Sequence, residues 1–309
     1  MVETVVAALR RSALAVLRNL WLLFFEVVNS LCGPLLMGGG LLLPLAFWWL
    51  THGMPSPENL ARDPLGFMIA NWTVLVWSFA GWSVGACLYL LIWLFYSAAL
   101  TGAIGMACGN SGGSSAGPVK LAEFWRAGRC GFSRGTGIAS VSALITIPPL
   151  VPLLALAVML IRRLPDLITG PRTEMIGAAL KFGIPLALLA LLFGILSWLA
   201  LVWYRYALCF AVVRGQTTGQ ALRSALSFFR DNWKPVIGLA VSALVIGILT
   251  SLTFAQAGFM IERLEALNGG LPMIVSLLLM PVGFVFGVFM NIWMHSAVVT
   301  LFLGREERT

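Results

Sequence analysis

The chain has 309 residues, of which 60% are hydrophobic and only 10% charged, against roughly a quarter charged in a typical soluble domain. Mean hydropathy is +0.94, and 20 basic residues against 12 acidic ones leave a formal net charge of +8. That composition excludes an ordinary soluble enzyme and a disordered chain, because neither can hide or solvate so much apolar surface, and it makes a bilayer the natural solvent.

Arg10, Arg11 and Arg18 precede the first apolar run. The run is too long for a secretory signal and no convincing small-residue cleavage site follows, so it reads as an uncleaved first span. Each crossing takes about 20 largely apolar residues. Six spans are predicted within the stretches at about 20–50, 69–107, 135–161, 175–213, 235–261 and 271–303. As straight helices the second and fourth stretches would each be about 60 Å long, so they must tilt, break or project beyond the hydrocarbon. Gly38, Gly39 and Gly40 in the first span, Pro185 in the fourth and Pro281 in the sixth are candidate kinks.

Charge sets orientation. Thirteen of the 20 basic residues fall in the N-terminal segment, the loops after spans two and four, and the C-terminus, and five fall in the opposite loops. The positive-inside rule then places both termini in the cytoplasm, and an even number of spans requires them to share a side. The basic residues flank spans, so anionic lipid headgroups are expected partners and nucleic acid is not. The five cysteines form no CxxC pair and none lies in a predicted outer loop. They are expected to be reduced thiols without a metal site.

An internal repeat organises the chain. RSALAVLRNLW, from Arg11 to Trp21, and RSALSFFRDNW, from Arg223 to Trp233, share Arg, Ser, Ala, Leu, Arg and Trp at the same offsets. Each precedes an odd-numbered span, and a looser version, LAEFWRAGRCGFSRG, occupies 121–135 ahead of span three. The paired arginines lie seven residues apart, nearly on one line of a helix, with apolar residues over much of the remaining face. The expected unit is an amphipathic interfacial helix, a span, an outer loop and a second span. Arg11, Arg18, Arg126, Arg223 and Arg230 would face lipid phosphates, with Trp21 and Trp233 at headgroup depth. The expectation is therefore an all-α, polytopic membrane helix bundle forming a single integral membrane domain over 1–309, with repeat units at about 1–110, 111–214 and 215–309. Gly81-x-x-x-Gly85, Ala190-x-x-x-Gly194 and Gly283-x-x-x-Gly287 lie on the even-numbered spans. They are read as sites of close helix packing within the chain rather than as a dimer interface.

The stretch Tyr204 to Trp233, YRYALCFAVVRGQTTGQALRSALSFFRDNW, resembles the repeated segment of a six-span bacterial family of uncharacterised membrane proteins. It is also similar to the membrane domain attached to some glycerophosphodiester phosphodiesterases. The matching residues are Ala221, Leu222, Ser224, Arg230 and Trp233. The proline and acidic residue frequent in those families are absent from Phe210 to Gly215, and the soluble phosphodiesterase barrel is absent too. The resemblance implies a multi-pass module of the bacterial plasma membrane and transfers no activity.

Polar groups inside lipid are costly and mark functional sites by default. Glu26 and Asn29 share one face of span one, and Asn291 and His295 share one face of span six. Together they suit a cation, a lipid headgroup or a proton relay. Arg205, among Trp203, Tyr204 and Tyr206, reads as an arginine snorkelling to the interface, with a ligand role as the alternative. GNSGG at 109–113 matches G-x-S-x-G, but Ser111 sits in a Gly/Ser linker with no partner to activate it, and His295 lacks the glycine spacing of intramembrane serine proteases. There is no HExxH, Walker A loop or clustered metal spacing, so neither enzyme activity nor a cofactor is expected. The leading expectation is a non-enzymatic multi-pass protein whose interfacial cytoplasmic helices bind lipid or a membrane-protein partner in an accessory role. The alternative is a small transporter or channel with a polar site between spans one and six.

Overall fold

In the hydrocarbon region no water is at hand for backbone N–H and C=O groups, so a spanning segment must satisfy them internally, as a helix does. The computed structural model describes residues 2–53, 71–109, 118–169, 177, 179–265 and 271–306, and no strand occurs among them. In chain order the elements are α1 (Val2–Arg18), α2 (Trp21–His52), α3 (Trp72–Gly109), α4 (Leu121–Thr169), a π-helical turn (Ala179–Gly183), α5 (Ile184–Val212), α6 (Thr218–Asp231), α7 (Trp233–Glu265) and α8 (Leu271–Glu306). Six of these segments are long and apolar enough to cross a membrane: Trp21–His52, Trp72–Cys108, Leu121–Leu156, Lys181–Val212, Trp233–Thr253 and Pro281–Arg305. The protein is an all-α multi-pass membrane bundle. The linker with Ser111, the outer-loop residues around Arg62 and Arg172, and the C-terminal Arg308 lie outside the described residues.

The helix breaks follow local chemistry. At the α1–α2 corner the Asn19 side chain donates to the Ala15 carbonyl at 2.9 Å and accepts from the Val119 backbone N–H at 2.7 Å. At the α6–α7 corner Asn232 donates to the Phe228 carbonyl at 3.3 Å. An amide that competes for backbone groups favours such a break, and Trp21 and Trp233 each open the following helix. A capping box between Thr217 and Gln220 starts α6. The segment 121–135 has no such amide, and α4 runs through it into the span. It is the stem of a long helix rather than a separate interfacial one.

Of the two long stretches, α3 continues unbroken over 38 residues, about 57 Å, nearly twice the hydrocarbon thickness. The fourth changes to a π-helical turn just ahead of Pro185 at the start of α5, where a residue without N–H cannot continue the ladder. Neither Gly38–Gly40 nor Pro281 interrupts its helix.

Lipid tails are as apolar as leucine, so helices associate where their backbones approach closely or where polar groups bond. The α2–α3 pair is antiparallel. Gly40 meets the Gly81 backbone, Gly85 meets the Leu36 carbonyl, and Gly33 faces the Tyr89 ring. Helix α4 fits between α3 and α5, with Gly102 against Ala127, Gly128 against Phe95 and Gly131 against Ala98 and Val212. Helix α1 is stitched to α8 by Trp293 Nε1 donating to the Leu9 carbonyl (2.9 Å) and Thr300 Oγ1 to the Ala8 carbonyl (3.2 Å). Gly81-x-x-x-Gly85 thus packs within the chain as expected. Gly194 and Gly287 differ, because a side chain at either would meet no described atom within 4 Å.

The tight packing is concentrated at one end. Buried residues run through Leu94–Ala107 of α3, Ala200–Ala211 of α5 and Val288–Phe302 of α8. The other halves of the spans display Leu43 (71% exposed), Leu50 (86%), Trp77 (70%) and Leu188 (62%), side chains that lipid solvates. The packed end is the one bearing α1, α6 and the close of α8. Gly81→Leu should lower resistance to unfolding by about 1–3 kcal/mol through overpacking, whereas Gly194→Leu should be near neutral. Denaturant titration in mixed micelles measures both, and equal effects would contradict the α2–α3 contact.

Candidate functional site: a buried polar cluster

Four helices bring polar side chains together inside the packed end. Glu26, 1% exposed, lies in the second turn of α2, with Asn29 (5% exposed) one turn on. Asn291 of α8 donates from Nδ2 to Glu26 Oε1 at 2.5 Å, and Ser30 Oγ donates to the same oxygen at 3.4 Å. One turn further along α8, His295 Nε2 lies 2.8 Å from Thr101 Oγ1 of α3. The Thr101 hydroxyl donates to the Ser97 carbonyl at 2.8 Å. That hydroxyl proton is thereby committed, so His295 is the donor in the pair and its tautomer carries the proton on Nε2.

Arg205 of α5 joins this group. With Glu26, Asn29, Asn291 and His295 it borders a cavity of about 20 Å³, which Tyr96, Ser97 and Tyr204 also line. The sequence-based reading of Arg205 as a snorkelling residue is therefore corrected. Its aromatic neighbours do not form a belt at the lipid surface. Tyr204 stacks on Trp93 at 5.5 Å between ring centroids, and Tyr206 on Phe228 of α6 at 5.3 Å. Both tyrosines are buried, and Arg205, half-buried, also borders a second cavity of about 60 Å³ beside Trp198 and Met294.

The free volume decides what the site accommodates. A water needs at least about 10–15 Å³ of such space, so the cavity takes about one water or one bare ion. Its walls offer polar atoms to such a guest, among them Glu26 Oε2, Asn29 Oδ1 and the hydroxyls of Tyr96 and Tyr204. A small polar guest with several hydrogen-bonding directions suits this lining. Among the described residues no group of three or more His, Cys, Asp or Glu side chains suits a metal ion. None of the five cysteines is in a disulfide, and Cys209 is buried.

Glu26, Asn29, Asn291, His295 and Arg205 thus share one site. Sequence reasoning missed Thr101, Tyr96 and Tyr204. The signal for the tyrosines was their rarity, since the chain has only four. Two of them line the cavity, Tyr206 borders its neighbour, and Tyr89 packs on Gly33, one turn from Asn29. The residues assigned to a lipid interface lie elsewhere. Arg11, Arg18, Arg126, Arg223 and Arg230 are exposed, as is Trp233, which has Lys234 Nζ 5.7 Å from its ring centroid. Trp21 is half-buried, edge-on to Phe124 of α4 at 5.7 Å, and so serves as a packing anchor.

A double-mutant cycle with Glu26→Ala and Asn291→Ala should give a coupling energy of about 0.5–3 kcal/mol in unfolding measured in detergent. Additive losses would show that the two side chains do not share a bond.

Comparison of the chain with protein-family models, with curated proteins and with solved structures finds no match. The resemblance read in Tyr204 to Trp233 rests on those residues alone.

Proposed function

We propose that this is a non-enzymatic protein of the bacterial plasma membrane, with both termini in the cytoplasm, whose α1 and α6 lie in the membrane interface and engage anionic lipid or a membrane-protein partner in an accessory role. The observation that supports this best is the exposed half of α1. Its inner face buries Val5, Ala8, Ser12, Ala15 and Val16. Its outer surface interleaves Leu14 (47% exposed) and Leu17 (55%) with Arg10, Arg11 and Arg18, all exposed. Water disfavours the leucines and hydrocarbon disfavours the arginines, whereas the interface between them accepts both. On α6 the exposed residues include Leu226 with Arg223 and Arg230, beside Gln220, Ser227 and Asp231. Each basic residue near an anionic leaflet contributes about 1 kcal/mol of attraction.

The convergence of Glu26, Arg205, Asn291 and His295 on one cavity favours a second reading, a small transporter or channel. A free volume of about 20 Å³ limits its cargo to a proton, a water or a bare small cation.

Hydrogen exchange in nanodiscs separates the two. On the first reading, protection of 2–18 and 218–231 rises when anionic lipid is included, and replacing Arg11, Arg18, Arg223 and Arg230 with Gln removes the rise. Unchanged protection in that variant would sink the interface role. On the second, proteoliposomes carry a proton or cation flux that Glu26→Gln abolishes.

A further inference from the structure

A groove separate from the polar cluster opens where α3, α4 and the end of α5 meet. Its volume is about 380 Å³, far more than a water requires. Met106 of α3 and Val213 after α5 are its apolar walls, and Gly102, Gly105 and Gly131, closed off by Ala127, Val212 and Val213, let the three helices meet behind it. Two guanidinium groups border it, those of Arg126 and Arg134.

Charge around the groove is one-sided. Arg126 is exposed. The nearest acid along its helix, Glu123, accepts from the Lys120 backbone N–H at 3.1 Å and so caps the start of α4. Arg134 Nη1 donates to the Ala211 carbonyl at 2.9 Å. That bond covers a carbonyl at the negative end of α5, which would otherwise repel an anion, and it fixes the guanidinium beside the groove. An arginine has five N–H donors, so the rest of the fork remains for an oxyanion.

Depth identifies the source of that anion. Gly105 is four residues from the end of α3, Arg126 five from the start of α4, and Val212 closes α5. At 1.5 Å per residue these positions lie within about 8 Å of the helix ends, and Arg134, thirteen residues into α4, joins them through its bond to Ala211 near the close of α5; on the proposed orientation of the bundle this is the interfacial region. Trp125, 44% exposed, is an aromatic marker of the same level. A free phosphate would leave the apolar walls of Met106 and Val213 wet, whereas a lipid covers them.

We infer that this groove binds an anionic phospholipid, its headgroup phosphate held by Arg126 and Arg134 and an acyl chain laid against Met106 and Val213. The inference deepens the lipid-engaging reading and rests on it for the orientation of the bundle.

Cys130 lines the groove and is exposed, which supplies a probe. The full chain with Cys32, Cys87, Cys108 and Cys209 changed to Ala is placed in nanodiscs, and the rate of Cys130 modification by N-ethylmaleimide is measured. Phosphatidylglycerol in a phosphatidylcholine disc should slow the reaction several-fold. Arg126→Gln should recover about fivefold, the worth of one basic residue at an anionic surface, and Arg126→Gln with Arg134→Gln should recover the whole effect. Equal rates with and without phosphatidylglycerol overturn the proposal. So does slowing that survives the double substitution, which would be a property of the surface, or slowing by inorganic phosphate in pure phosphatidylcholine discs. Arg126 makes no contribution to the Ala211 cap, so its single variant remains a valid test where the double variant does not fold. Protection of α1 and α6 is scored in the same discs. Its loss with Cys130 still shielded counts against the interface reading, and the converse result counts against the groove.

Discussion

Apolar side chains gain little by leaving lipid for one another, and that constraint governs this bundle. Its order comes from places where side chains are missing or polar. Gly40 and Gly81 let two backbones touch, as do Gly85 and Leu36. Gly102, Gly128 and Gly131 let α4 settle between α3 and α5. Bulky residues left facing outward, such as Leu43 and Leu188, are solvated by the membrane and need no partner. The asymmetry of the molecule, tight at one end and open at the other, follows from where the small and polar residues occur.

The polar cluster belongs to the tight end. Glu26 is five residues from the start of α2, and Arg205 is seven from the end of α5, so the site lies toward one end of the bundle. Close packing keeps its free volume near that of one water, and the aromatic stacks of Trp93 on Tyr204 and Tyr206 on Phe228 wall it off. The same aromatics connect the cluster to α6, so an element at the proposed lipid surface shares packing with the site.

The spans were legible because length and hydropathy are properties of contiguous sequence. Glu26 with Asn29, and Asn291 with His295, were legible because helical spacing places each pair on one face. What was not legible was the meeting of the faces. The bond between Asn291 and Glu26 joins residues 265 positions apart, and nothing local specifies it. Arg205 was misread for a related reason, since flanking aromatics look alike at an interface and in a core. The continuity of α4 was missed because its basic and aromatic character imitates the Arg11–Trp21 segment, while its lack of a helix-breaking amide is a quieter signal. The aligned copies also differ in environment. Ser12 is buried and Ser224 only half-buried, while Ala225 is buried and Ala13 half-buried. The helices are thus rolled differently on the bundle despite their shared residues.

The amide of Asn19 spans a hundred positions to hold the Val119 N–H, and this has a consequence for biosynthesis. The first corner leaves the ribosome long before its partner, so its carbonyl oxygen waits for the strand of chain that opens α4. Closure comes later still, when Trp293 and Thr300 reach the carbonyls of Leu9 and Ala8 and Asn291 reaches Glu26. Until α8 is inserted, an acidic side chain stands inside the forming bundle without its principal donor. Completion of the core is therefore coupled to delivery of the final described helix, and a nascent chain halted before that point would present an unsatisfied carboxyl group to the quality-control machinery of the membrane.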